Sequence, residues 1–255
     1  AHREYLNLSY SRFFPVIDLM ASYGRRYNYE KDTAGDMDFR PTDEKLFRLG
    51  VTLPFNFSRS IHTTTLDLNA AYNSIYYSMP EDENFADPAE NKDEVTAMEY
   101  GMKFVHYRQA SRRDLNPRLG QALEVKYWNT PFGEGADGER FVGHAALYLP
   151  GLYNHHSLTL KGEYEASSEN FRNGIYALTT SAEFTRGYNP YISEIFKKGT
   201  IEYTFPVAYP DAALGSIIYF KRMYSSLFYD YGILDWQNDQ HLFRSVGIDL
   251  NFTLH

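Results

Sequence analysis

The residues best suited to chemistry are few. The chain carries eight histidines and no cysteine, so thiolate metal sites, disulfides and cysteine nucleophiles are excluded. His155-His156 is the one adjacent pair that suggests a metal. Neighbours on a strand point to opposite faces, so the two imidazoles would chelate together only from a turn. His62, His106, His144 and His241 fall among expected strands and their ends. Residues 80–94 hold seven acids and one lysine. That density could attract Ca²⁺ or a partner, but the ligand spacing of an EF-hand is missing, and a solvated loop is the expected reading. The sequence contains no GxxxxGK[ST], no GxGxxG after a strand, no HExxH and no GxSxG. Neither an enzyme nor a cofactor is therefore expected. Outer-membrane hydrolases that assemble His, Asp and Ser across strands remain the least favoured alternative.

Composition narrows the class further. The 255 residues carry a formal net charge of −8 and no basic stripe, which speaks against nucleic acid. No run approaches the roughly 18 apolar residues of a membrane helix. A mean hydropathy of −0.50 is polar for a helical membrane protein but ordinary for a membrane β-barrel, whose strands are apolar on one side only. Aromatic residues make up 17%, with 23 Tyr and 18 Phe. Tyr suits a membrane–water boundary because its ring is apolar and its hydroxyl is not. Phe13-Phe14, Tyr76-Tyr77, Tyr127-Trp128, Tyr148, Tyr153, Tyr209 and Phe228-Tyr229 gather near expected strand ends, as an interfacial girdle would.

The elements that must position these residues are strands. Over 157–166, Leu158, Leu160, Gly162, Tyr164 and Ala166 alternate with Thr159, Lys161, Glu163 and Glu165. The same period of two runs through 48–57, 64–73 and 245–254. Strands are expected near 3–10, 13–24, 44–58, 62–78, 95–108, 119–130, 140–149, 156–167, 199–206, 215–230 and 242–254. The connections alternate between short (11–12, 59–61, 150–155) and longer (25–43, 79–94, 131–139, 168–198, 231–241). Those at 109–118 and 207–214 are long for their place in that series. Short turns on one side and long loops on the other characterise outer-membrane barrels. A soluble sandwich, the fallback, gives no reason for it. The fold class expected is all-β, an antiparallel transmembrane barrel in which 1–255 form one domain, incomplete at both ends.

Three motifs in order carry a resemblance. Thr185-Arg186-Gly187-Tyr188 lies in the longest connection. Gly199-Thr200-Ile201-Glu202-Tyr203-Thr204-Phe205-Pro206 follows, and then Ser225-Ser226-Leu227-Phe228-Tyr229-Asp230-Tyr231-Gly232. This series resembles the C-terminal part of BamA-type outer-membrane assembly barrels, the bacterial surface antigen superfamily. Within it, Phe205-Pro206-Val207-Ala208-Tyr209-Pro210-Asp211 is most similar to barrels behind a TolB-like propeller. The resemblance implies a sixteen-stranded barrel in the bacterial outer membrane. In it the loop arginine, here Arg186 with Gly187 and Tyr188, folds into the lumen and pairs with wall acids, here Glu202 and Asp230. Strand phase independently puts Glu202 on the face of Thr204, and Asp230 on that of Arg222 and Ser226. The implied partners are outer-membrane lipid with either nascent outer-membrane proteins or subunits of an outer-membrane complex. The implied role is assembly or translocation, the alternative a passive anchor or scaffold. The chain departs from the family by closing on Leu254-His255 instead of an aromatic residue.

Overall fold

The computed structural model describes residues 3–11, 14–31, 37–78, 94–108, 114, 116–132, 138–168, 182–189, 194–214, 218–236 and 239–254. These form strands and connections without a helix. Eleven long strands and one of three residues make a single antiparallel sheet. In chain order they are β1 (Arg3–Tyr10), β2 (Val16–Lys31), β3 (Met37–Asn56), β4 (His62–Ser78), β5 (Glu94–Arg108), β6 (Gly120–Asn129), β7 (Glu139–Pro150), β8 (Ser157–Ser167), β9 (Ile195–Ala208), β10 (Ala212–Leu214), β11 (Ile218–Trp236) and β12 (Asp239–Leu254). Each long strand pairs with the next in sequence, and β10 lies beside the foot of β11. Among the described residues β1 pairs only with β2 and β12 only with β11, so the sheet is open.

Two expected loops are largely strand. β2 and β3 stay in register through Lys31↔Met37, and β11 and β12 through Trp236↔Asp239. The connections are therefore 32–36 and 237–238, not 25–43 and 231–241. The polar residues there suggested loop, but the ladder runs on through them, helped by Arg25 Nε at 2.7 Å from Asp43 Oδ1 and Gln240 Nε2 at 2.9 Å from Asp235 Oδ1. The acidic stretch 80–93 lies outside the described residues.

The register sorts side chains into two unlike faces. On one, rows such as Leu8–Leu19–Leu49–Tyr72 and Leu158–Tyr203–Leu227–Ile248 run across the sheet. Many of these side chains are exposed, Val246 at 80% and Ile201 at 52%. The other face carries the charge. Arg48 pairs with Asp18 and sits 3.5 Å from Glu99, Lys126 pairs with Glu124, His144 with Glu163, and Arg140 with Glu165. Lys198, Thr200, Thr204, Ser226 and Asp230 are buried there. Because two strand neighbours face opposite ways, only one member of Tyr127–Trp128 and one of Phe228–Tyr229 lies on the apolar face. Trp128 and Phe228 lie on the polar face, as does Tyr148.

Trp128 belongs to a small apolar cluster with Ile75, Val95 and Val142 on that polar face. Replacing it by Ala opens the cluster and should lower stability by roughly 3 kcal/mol. Urea unfolding followed by far-UV circular dichroism measures this, and an unchanged midpoint contradicts the packing role.

Candidate functional site

The site is built where residues 182–189 lie on the polar face of β8, β9, β11 and β12. Glu165, already 2.8 Å from Arg140, accepts the Ala182 backbone N–H at 2.8 Å. Lys198 Nζ donates to the Phe184 carbonyl at 3.3 Å. The Phe184 ring stacks on Phe196 at 4.7 Å and meets Phe243 edge-on at 5.1 Å. Ala182 and Leu234 complete this apolar patch. The segment is thus fastened by hydrogen bonds on one side and by ring packing on the other.

Arg186 is the centre of the contact. Its Nε and Nη2 each donate to one oxygen of Asp230 at 2.9 Å, and its backbone N–H adds a third bond at 3.2 Å. Such a two-pronged match of guanidinium to carboxylate fixes orientation as well as charge. Thr200 Oγ1 donates to Asp230 at 2.8 Å. Asp230 is fully buried, so each of these donors replaces a lost water. Arg186 Nη1 reaches Asp249 at 3.2 Å and Glu202 at 3.8 Å. The guanidinium lies 3.3 Å from the centroid of the Phe228 ring, a cation–π contact.

Two glycines make the approach feasible. Gly187 has a φ of +84°, a region that L side chains rarely adopt. There the chain turns, with Tyr188 N–H donating to the Thr185 carbonyl at 3.3 Å. Gly232 lies under Thr185, and a Cβ at 232 would stand 2.3 Å from Thr185 Oγ1. Tyr188 then packs edge-on against Phe243 at 5.1 Å, and its hydroxyl donates to the Arg244 carbonyl at 3.1 Å.

The structure therefore brings Arg186, Gly187, Tyr188, Asp230 and Glu202 into one neighbourhood, with unequal partners. Glu202 is 3.1 Å from Lys161 and only 3.8 Å from Arg186. Asp249 is closer to Arg186, yet sequence reasoning did not single it out. Its polar phase on β12 was readable, but its place opposite Ser226 depends on the register of a hairpin. Phe228 was taken for a girdle residue when it is the platform under the arginine. The histidine pair divides: His155 Nδ1 lies 2.8 Å from Asp114 Oδ1, and His156 Nδ1 lies 2.8 Å from the Tyr203 hydroxyl. Among the described residues no group of three His, Asp or Glu could hold a metal ion.

No family model matches the chain, and no curated protein matches its sequence.

Removing the guanidinium leaves a buried carboxylate without its main partner. Arg186→Ala should cost roughly 3 kcal/mol. Arg186→Lys should recover only part of that, because an ammonium cannot make the two-pronged match. Gly232→Ala should crowd the Thr185 hydroxyl and loosen the segment, by less than Arg186→Ala does, with every charge intact. Limited proteolysis within 182–189, beside thermal unfolding, checks both, and full protection in Gly232→Ala would refute the steric argument.

Proposed function

We propose that this chain is wall of a bacterial outer-membrane barrel of the BamA-like superfamily, serving assembly or translocation of outer-membrane proteins. One observation carries the reading. A connecting segment docks through Arg186 on the charged face of a sheet whose opposite face is apolar and, among the described residues, uncovered. A soluble sheet normally buries its apolar side under a second layer. Here charge is what is buried, which suits a wall with lipid outside and a wet lumen inside.

Dimensions support this reading. The apolar series on β3 runs from Phe47 through Leu49, Val51, Leu53 and Phe55 to Phe57 just beyond the strand. At about 3.4 Å per residue that is about 34 Å along the chain, or about 26 Å across a bilayer at a tilt of roughly 40°. An outer-membrane barrel's apolar band is about 25 Å tall. Rings meet at one end of this span, where Phe14, Phe55 and Phe57 associate, with Phe14–Phe55 centroids 5.5 Å apart. In this reading residues 182–189 act as an internal strut, with Arg186 locking them to Asp230, and the sixteen-stranded closure is completed by strands beyond those described. The proline-containing run Phe205–Asp211 favours a second reading, a passive barrel that anchors a propeller or a partner complex.

Two measurements test this. Single cysteines at Leu49, Ile201 and Val246 should react with a lipid-soluble maleimide in native membranes and resist a water-soluble one. A reversed pattern removes the membrane reading. Depleting the protein in cells and quantifying the outer-membrane proteome tests the role. A joint fall of many unrelated barrels supports assembly, whereas loss of one complex, or none, supports the anchor.

A further inference from the structure

We infer, on the membrane reading above, that Lys197 and Arg244 bind the phosphate of an anionic lipid headgroup where the apolar face ends on the side of the long connections. Strand phase puts both cations on that face. Lys197 has the parity of Ile201 and Tyr203, and the register of β9 is unbroken from one to the other against both β8 and β11. It stands opposite Tyr164 on one side and Ile233 on the other. Described strands flank it on both sides, so its surroundings do not depend on any strand beyond β12. Arg244 stands opposite Tyr231 and shares the phase of Leu242 and Val246. Its guanidinium carbon lies 5.5 Å from the centroid of the Tyr231 ring, so the side chain leans back over β11. Both cations are exposed, and among the described residues neither has an ion-pair partner.

A charge on the lipid side of a wall is costly at mid-membrane and tolerated near the boundary. The rows on either side place these two at a boundary. One row toward the long connections, Asp235 accepts the Gln240 amide at 2.9 Å. In the other direction come Ile201, Tyr229 and Val246, and then Leu227 and Ile248, all exposed and, apart from the Tyr229 hydroxyl, apolar. Cations with polar groups above and apolar groups below match an amphipathic ligand, its charged head above its acyl chains.

The ground between the cations is open. Gly199 stands opposite Gly162 on one side and Tyr231 on the other. A Cβ built at either glycine would meet nothing within 4 Å, so a headgroup can approach the backbone there. Two strand spacings, about 10 Å, separate β9 from β12. Lys197 and Arg244 are long enough to close on one headgroup across that distance. With its face toward Tyr231, the guanidinium keeps its N–H edges for phosphate oxygens, and the lysine adds a point charge on a flexible stem.

The test is native mass spectrometry of the full-length protein in detergent micelles, with phosphatidylglycerol and phosphatidylcholine of the same acyl chains in competition. The wild type should retain the anionic lipid preferentially. Lys197→Gln and Arg244→Gln should each lower the ratio of bound phosphatidylglycerol to phosphatidylcholine roughly fivefold, the worth of one basic residue at an anionic surface. Lys197→Arg should keep the ratio. Lys103→Gln removes the same charge from the polar face, where Lys103 lies 3.8 Å from Glu124, and should leave the ratio unchanged. No preference in the wild type, an unchanged ratio in either glutamine variant, an equal fall in Lys103→Gln, or displacement of the lipid by excess inorganic phosphate would each overturn the inference and leave the membrane reading standing. Retention of neither lipid would remove both.

Discussion

Among the described residues the sheet has no second layer, so its two faces must each be satisfied separately, and the rest of the structure follows from that constraint. With a side-chain period of two, each strand divides its residues between the faces, and pairing register aligns the division across neighbours. One slip on any strand would put Lys, Glu and Asp among Leu, Ile and Tyr. Apart from irregularities at the foot of β11, at Phe220/Arg222 against β12 and at Met223/Tyr224 against β9, the register holds through the long strands, so the apolar rows and the charged rows stay continuous.

The charged face holds two small buried apolar clusters, one around Trp128 and one around Phe196, and it also pairs charges across strands. Arg48 ties β2, β3 and β5, and Lys161 with Glu202 ties β8 to β9. Arg186 differs because it comes from a connection and joins three strands together: β9 through Glu202, β11 through Asp230 and β12 through Asp249. Its interaction with Asp230 dominates. That carboxylate is fully buried and has four donors, from the Arg186 side chain and backbone and from Thr200. The other acids are partly exposed, at 16% and 47%, and water shares their load.

Much of this was legible in the sequence because period-two patterning encodes the face of each residue. Strand existence and the polar phase of Glu202 and Asp230 follow from it. What failed to show were quantities set by register between strands. Asp249 meets Arg186 only because Ser226↔Asp249 are opposed. Phe228 looked like a boundary aromatic because composition does not distinguish a ring on the exposed apolar face from one beneath a cation. Loop boundaries at 25–43 and 231–241 were misjudged because charged residues on a protruding hairpin read as loop, although their side chains pair across it.

The ordered motifs gain a physical meaning from the contact they make. Arg186 and Asp230 supply opposite charge. Gly187 permits the turn that carries the chain on to Tyr188 after the arginine has engaged, and Gly232, two positions beyond Asp230, removes the side chain that would hold Thr185 away. Arg-Gly-Tyr and Tyr-Asp-Tyr-Gly are thus the two halves of one interface, complementary in charge and in shape. The same interface ends at Tyr188, whose ring packs on Phe243 and whose hydroxyl donates to the Arg244 carbonyl, so the segment is held to β12 on both sides of the arginine's reach.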